Sequence, residues 1–426
     1  MPEPCTETRW PFQVPVKPSI PRTSLYSDAS SRKFSAIHFA RNGSPGNRTT
    51  GAISPGAAAM CVLMIPAYVG AGWFDEGMDV ERMLREQRRM LWVTAACFLL
   101  GLLAGTAVLW GASRPFSGDG SVIIPVALVS GVIAAVAFVL SIRMHRAGET
   151  APMPPWQAVV SNVSAVAVTA ALAAVTGLGV LLAGEVLDTG LQGLELPAVG
   201  GGVFTGVASA LGGRMAFRIG IRLSTRDLAA LLFAFLIIGT HFAMLTATDS
   251  AWWERSFSQL GIGSGGWAFN GTMVIAGLLI ATTGSYLGRD LHRMLGDSAL
   301  RGIAAVVITW AGAGLALAAV GLLPLDRVPI PHAIAAFTTL ALLLAAAIMV
   351  TVLMGELRML RVLTIVLVGL ILIAVVLAFG LHVLSVAALE AVVVGLVLLW
   401  LTTLVQLLGI LAPDVSRPSA RRSPLR

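Results

Sequence analysis

Ten long apolar segments, separated by short connections, most constrain the fold of this chain. A run of about 20 apolar residues spans a bilayer core, and in lipid each backbone polar group must be satisfied within its own element. Such runs therefore form helices. The predicted spans cover residues 91–112, 121–142, 164–187, 197–213, 226–246, 267–287, 302–324, 333–354, 361–384 and 386–412. The sequence predicts an all-α fold, a polytopic integral membrane bundle of about ten transmembrane helices.

The composition agrees with a membrane protein whose partners are lipids. Charged residues make up 12% of the chain, about half of what a soluble domain carries. The net charge of +7 lies mainly at helix ends rather than in a patch interleaved with aromatics, so we expect no nucleic-acid partner. Lys17 and Lys33 are the only lysines beside many Arg, Ala and Gly residues. This bias is typical of a GC-rich bacterial genome and favours a bacterial plasma (inner) membrane.

The arginines predict the orientation of the helices. All but three of those that follow residue 78 lie just before the first span, on alternate connections or at the C-terminus, and the exceptions are Arg114, Arg255 and Arg327. Connections rich in arginine stay in the cytoplasm. Both termini are therefore predicted to be cytoplasmic, and the connections from odd-numbered to even-numbered spans face outward.

The pattern along the chain predicts five regions. Residues 1–77 form a disordered N-terminal tail, because Ser, Pro, Arg and Gly dominate their first part and bury too little apolar surface. Met78 would serve as an alternative start. Residues 78–90 form a cytoplasmic amphipathic lead-in, residues 91–213 a four-helix membrane region and residues 226–412 a six-helix module. Residues 413–426 form a basic cytoplasmic tail.

Glycine spacing indicates close helix packing in the four-helix region. The fourth span is the shortest, and its Gly202–Gly206 pair and the Gly101–Gly105 pair of the first span fit the small-xxx-small pattern. Small residues at this spacing let two helix backbones approach closely. We expect packing within the chain rather than dimerisation.

The connection between the fifth and sixth spans, Thr240 to Thr272, is the most unusual polar segment. It is rich in aromatic, acidic and hydroxyl side chains and faces outward on the predicted topology. One interpretation is an interfacial belt, with Trp252, Trp253 and Trp267 at the headgroup level. The other is the lid of a pocket in which polar groups converge on a ligand. Its glycines match a dinucleotide fingerprint only formally, since no strand precedes them.

A resemblance to a known family rests on this segment. His241, Asp249, Trp252-Trp253, Phe257-Ser258-x-Leu260-Gly261 and Asn270 follow one another in this order. This arrangement resembles the bacterial membrane family called domain of unknown function 998. The resemblance covers roughly residues 226–412. It implies a module of about six membrane helices with no established activity.

Ionisable residues near the outer ends of the spans suggest an alternative function. His241, His332, His382 and Glu390 lie near the same predicted surface. Ionisable groups at membrane depth are costly and often functional. Together they could hold a zinc ion that activates water, as in a metal-dependent hydrolase. A structural role for each histidine is the other interpretation. The span centres carry almost no charge, which disfavours an ion-driven carrier.

We therefore expect a multi-pass membrane protein that is not an enzyme and that binds or moves a lipid or small apolar ligand. No cofactor is expected. The outward-facing pocket would be lined by His241, Asp249, Trp252, Glu254, Ser258 and Asn270. The alternatives are the metal-dependent hydrolase and a structural or assembly protein without a ligand.

Overall fold

The computed structural model describes residues 80–147 and 155–411. The tails predicted for residues 1–77 and 413–426 lie outside these ranges. Within them the chain forms ten long helices, which are α1 (Val80–Val108), α2 (Ile123–Ala147), α3 (Pro155–Asp188), α4 (Ala198–Ile221), α5 (Thr225–Leu245), α6 (Gly266–Leu295), α7 (Leu300–Leu322), α8 (Pro329–Leu353), α9 (Arg358–Val375) and α10 (Val386–Leu411). The predicted all-α membrane bundle is confirmed.

Nine of the ten described helices are long and apolar enough to cross a membrane, and α4 is the exception. Its glycines and arginines lower its hydropathy. One face of α4 is nevertheless apolar and exposed, with Val199, Val203, Val207 and Leu211 four residues apart. Residues at this spacing share one helix face. Its opposite, glycine-lined face is buried against α1 and α2, so α4 packs as an interior helix with one lipid-facing stripe.

The two glycine pairs of the first and fourth spans face each other. A Cβ atom added at Gly105 would lie 2.3 Å from Oγ1 of Thr205, and one added at Gly202 would lie 2.0 Å from Oγ1 of Thr106. Only glycine permits so close an approach of the two helices. The predicted packing role of these pairs is confirmed.

Helices on the arginine-rich side are longer than the predicted spans. The fourth span was predicted to end at residue 213 and the sixth at residue 287, whereas α4 continues to Ile221 and α6 to Leu295. Hydropathy marks the segment that lies in hydrocarbon, but backbone hydrogen bonding continues into the headgroup region. The long arginine side chains can reach polar surroundings from the extra turns.

We call the two ends of the bundle the arginine-rich face and the arginine-poor face. At the arginine-rich face, α4 and α5 are joined by a connection of only a few residues. Ser224 begins α5 with a capping box, in which its hydroxyl accepts the Asp227 N–H and the Asp227 carboxylate accepts the Ser224 N–H. The Thr225 hydroxyl donates to the carboxylate of Asp290 near the end of α6. The connection between the four-helix region and the six-helix module is therefore tightly folded.

At the arginine-poor face, the first four helices carry a small antiparallel ribbon that the sequence analysis did not predict. Strand β1 (Arg114–Pro115) pairs with strand β2 (Glu195–Leu196), with Arg114 opposite Leu196. The ribbon joins the α1–α2 connection to the α3–α4 connection over a small buried cluster that includes Leu109 and Phe116. Strands of two residues are too short to show the alternating pattern by which strands are recognised.

One continuous core runs through the first four and the last six helices. Helix α3 joins them, because it packs against both α5 and α6. The largest fully buried side chains of this core include Trp310 and Trp400.

Candidate functional site

The connection between α5 and α6 folds into a compact structure that we call the cap (residues 246–265). It contains two short 3-10 helices, Trp252–Glu254 and Phe257–Gly261. Leu260 is buried, and the rings of Trp252 and Phe257 pack at 5.1 Å between centroids. The cap therefore packs its apolar side chains onto the core of the bundle.

Helices α8 and α10 hold the second 3-10 helix of the cap through buried or half-buried polar side chains. Glu390 on α10 accepts a hydrogen bond from the backbone N–H of Phe257 at 2.7 Å. Nε2 of His332 on α8 lies 2.9 Å from the Ser258 hydroxyl oxygen, and its Nδ1 lies 2.7 Å from the Leu323 carbonyl oxygen. A carbonyl can only accept, so Nδ1 carries the proton and Nε2 accepts from Ser258.

Helix α6 holds the same segment from a third side. Nδ2 of Asn270 donates to the carbonyl oxygen of Gly261 at 3.0 Å, while its Oδ1 is buried without a hydrogen-bond partner in the described residues. A Cβ atom at Gly261 would lie 2.5 Å from this Oδ1, and one at Gly265 would lie 2.2 Å from the Thr246 carbonyl oxygen. The glycines therefore let the chain re-enter the bundle tightly.

Contacts within the cap and to the start of α10 complete its attachment. Asp249 accepts the N–H of Ala251 at 2.9 Å and pairs with Arg255 at 2.6 Å. The carbonyl of Arg255 accepts the N–H of Ala387 at 3.2 Å. Helices α6, α8 and α10 thus all bind the cap through named polar contacts.

The structure divides the six predicted ligand-binding residues into two groups. Asp249, Trp252, Ser258 and Asn270 make the contacts that build and hold the cap. His241 and Glu254 are exposed, and Nδ1 of His241 bonds only to the Ile237 carbonyl of its own helix at 2.8 Å. The first group is therefore bound within the protein, whereas the second leaves side-chain polar atoms without such contacts for a ligand at the surface.

Two exposed tryptophans were absent from the predicted ligand-binding residues. Trp253 is 56% exposed, and Trp267 at the start of α6 is 58% exposed. Trp267 packs one side against Phe242 with 5.7 Å between ring centroids. The sequence holds three tryptophans in this segment and does not show which of them is buried. In the structure Trp252 packs against Phe257 and the core, whereas Trp253 and Trp267 lie on the surface of the protein.

The four candidates for a metal site do not converge. Among the residues that the structure describes, no group of three or more His, Cys, Asp or Glu side chains is placed to hold a metal ion. Both ring nitrogens of His332 are already hydrogen bonded. His382 is exposed in the α9–α10 connection with φ of 52°, and Glu390 is bonded to the cap. A metal site at these residues would therefore require His332 and Glu390 to leave their present hydrogen bonds and the four side chains to move together.

The fold and the site together define a multi-pass helical membrane protein with an ordered cap at its arginine-poor face. The model of the family described as "Protein of unknown function (DUF998)" matches residues 228–407. This segment runs from α5 through most of α10, and the predicted resemblance is confirmed over it. No curated protein and no solved structure matches the chain.

Proposed function

We propose that this protein binds or moves a lipid or a small apolar ligand at its arginine-poor face and that it does so without catalysing a reaction. The observation that carries the proposal is a cap held by α6, α8 and α10 while Trp253 and Trp267 stay more than half exposed, at 56% and 58%. The positive-inside pattern supports an outward orientation for this face.

A fixed cap supports recognition because it lowers the entropic cost of binding. Tryptophan gives a large contact area, and its amphipathic ring suits the boundary between lipid tails and headgroups. A loop already ordered by hydrogen bonds loses little freedom when a ligand docks on it. His241 and Glu254 add exposed polar groups at the same end of the bundle. The unpaired Oδ1 of Asn270 is a buried acceptor that a donor could satisfy.

The test compares lipid retained by the full-length protein after purification in mild detergent. Trp253→Ala and Trp267→Ala are each expected to reduce the retained ligand about tenfold, since truncating a well-packed Trp anchor commonly costs more than 1 kcal/mol. The measurement is mass spectrometry of the extracted lipids, normalised to protein.

Trp110→Ala is the matched control. Trp110 is 77% exposed and follows α1 at the same face, outside the cap. It is expected to leave retention unchanged. Equal losses in all three variants would favour a general interfacial belt, and no loss in either cap variant would contradict the proposal.

A further inference from the structure

Helices α8 and α9 enclose an apolar groove at the opposite end of the bundle from the cap. The groove has a volume of about 250 Å³, and its exposed wall is apolar throughout. Val352 on α8 and Ile365 on α9 line it and are 74% and 64% exposed. It therefore opens sideways, onto the lipid-facing surface of the bundle.

Hydrogen bonds fix the helices that form this groove. The hydroxyl groups of Thr351 on α8 and Thr364 on α9 lie 2.7 Å apart, so one donates to the other, which donates to a carbonyl of its own helix. Nε1 of Trp400 on α10 donates to Thr364 at 2.9 Å. The polar atoms on the floor of the groove are thus hydrogen bonded within the protein and need no polar group from a ligand. The groove suits a hydrocarbon chain.

Positive charge lies at the end of the groove that belongs to the arginine-rich face. Arg361 lines the groove and donates to the Gly355 carbonyl, and Arg358 begins α9 one turn earlier. Neither arginine forms an ion pair with a carboxylate in the described residues, and the nearby Glu356 is exposed. Helix α9 begins here without a side-chain cap, so the positive end of its dipole adds to the field.

We infer that the α8–α9 groove is a binding site for an anionic phospholipid of the leaflet at the arginine-rich face. The phosphate would lie at Arg361 and Arg358, and one acyl chain would lie along Val352 and Ile365. Basic pockets between membrane helices at the cytoplasmic side suit anionic headgroups. This site is separate from the cap and does not depend on the function proposed for it.

The experiment measures lipid preference by native mass spectrometry. Full-length protein is incubated with phosphatidylglycerol and phosphatidylcholine of identical acyl chains, and the bound ratio is recorded. The wild type is expected to favour phosphatidylglycerol. Arg361→Gln should reduce that preference about fivefold, the effect expected for one arginine near an anionic lipid. Val352→Trp should reduce binding of both lipids because the indole fills the groove.

Two variants serve as controls, and a third repeats the test. Arg361→Lys keeps the charge and should keep the preference. Arg358→Gln removes the other arginine of the site and should lower the preference, which answers the question if Arg361→Gln fails to fold. Arg143→Gln removes an exposed arginine of α2 at the same face and should behave as the wild type. Equal binding of the two lipids by the wild type would overturn the inference. So would equal preference in Arg361→Gln and Arg143→Gln, or an unchanged affinity in Val352→Trp.

Discussion

At the scale of single residues, the cap is fixed by polar side chains that come from membrane helices. Glu390, His332 and Asn270 each bond to one of three residues in the 3-10 helix Phe257–Gly261. Glu390 and His332 lie more than 70 positions from their partners along the sequence, so no local pattern could pair them. The sequence marks His332 and Glu390 because ionisable groups at membrane depth are rare, and Asn270 through the predicted pocket and the family resemblance. It could not show that their partners belong to the cap rather than to a ligand.

The hydrogen bond from the Phe257 N–H to Glu390 predicts how substitutions of Glu390 change the stability of the protein. Glu390→Ala removes the acceptor of the Phe257 N–H, and an unsatisfied buried donor costs about 1–3 kcal/mol. Glu390→Gln keeps an acceptor oxygen and is expected to retain most of the stability. The measurement is thermal unfolding of the two variants in the same detergent. An equal loss of stability in both variants would mean that the charge of Glu390, rather than its role as acceptor, holds the cap.

At the scale of helices, close backbone approach decides which elements meet. The pairs Gly101–Gly105 and Gly202–Gly206 could be predicted to pack because their spacing places both members on one face. A second close crossing, between α6 and α7, has the same spacing, since Gly277 and Ala281 of α6 meet Gly314 and Ala318 of α7. A Cβ atom at Gly277 would lie 2.4 Å from the Gly314 carbonyl oxygen, and one at Gly314 would lie 2.4 Å from that of Gly277. Such spacing is common by chance in a chain with 45 glycines, so it does not show which two helices meet.

The α6–α7 crossing therefore predicts that alanine destabilises the protein at a glycine of the crossing but not at a glycine elsewhere. Gly277→Ala should destabilise the protein by about 1–3 kcal/mol, because the atoms that the new methyl group meets are backbone atoms and cannot rotate away. Gly369→Ala in α9 is the matched control, since nothing lies within 4 Å of its Cβ position. That change should be neutral or stabilising by up to about 1 kcal/mol. Thermal unfolding in detergent measures both, and equal effects would contradict the crossing.

At the scale of the whole molecule, the distribution of arginines along the chain divides the bundle into an arginine-rich face and an arginine-poor face. The number of helices could be predicted from hydropathy, because lipid requires long continuous helices of every spanning segment. The ribbon β1–β2 and the contacts of the cap could not be predicted from the sequence, because they depend on which connections meet in space. The proposed cap ligand and the proposed phospholipid site lie on opposite faces. Both proposals therefore depend on the orientation that the arginines predict.

Labelling of single cysteines tests this orientation, on which both proposals depend, most directly. Cys5, Cys61 and Cys97 are replaced by serine, and single cysteines are introduced as Ser250→Cys in the cap and Ser298→Cys between α6 and α7, both at exposed positions. A membrane-impermeant maleimide is applied to intact cells and to permeabilised cells. We expect Ser250→Cys to be labelled in intact cells and Ser298→Cys only after permeabilisation. The reverse pattern would place the cap in the cytoplasm and contradict the account.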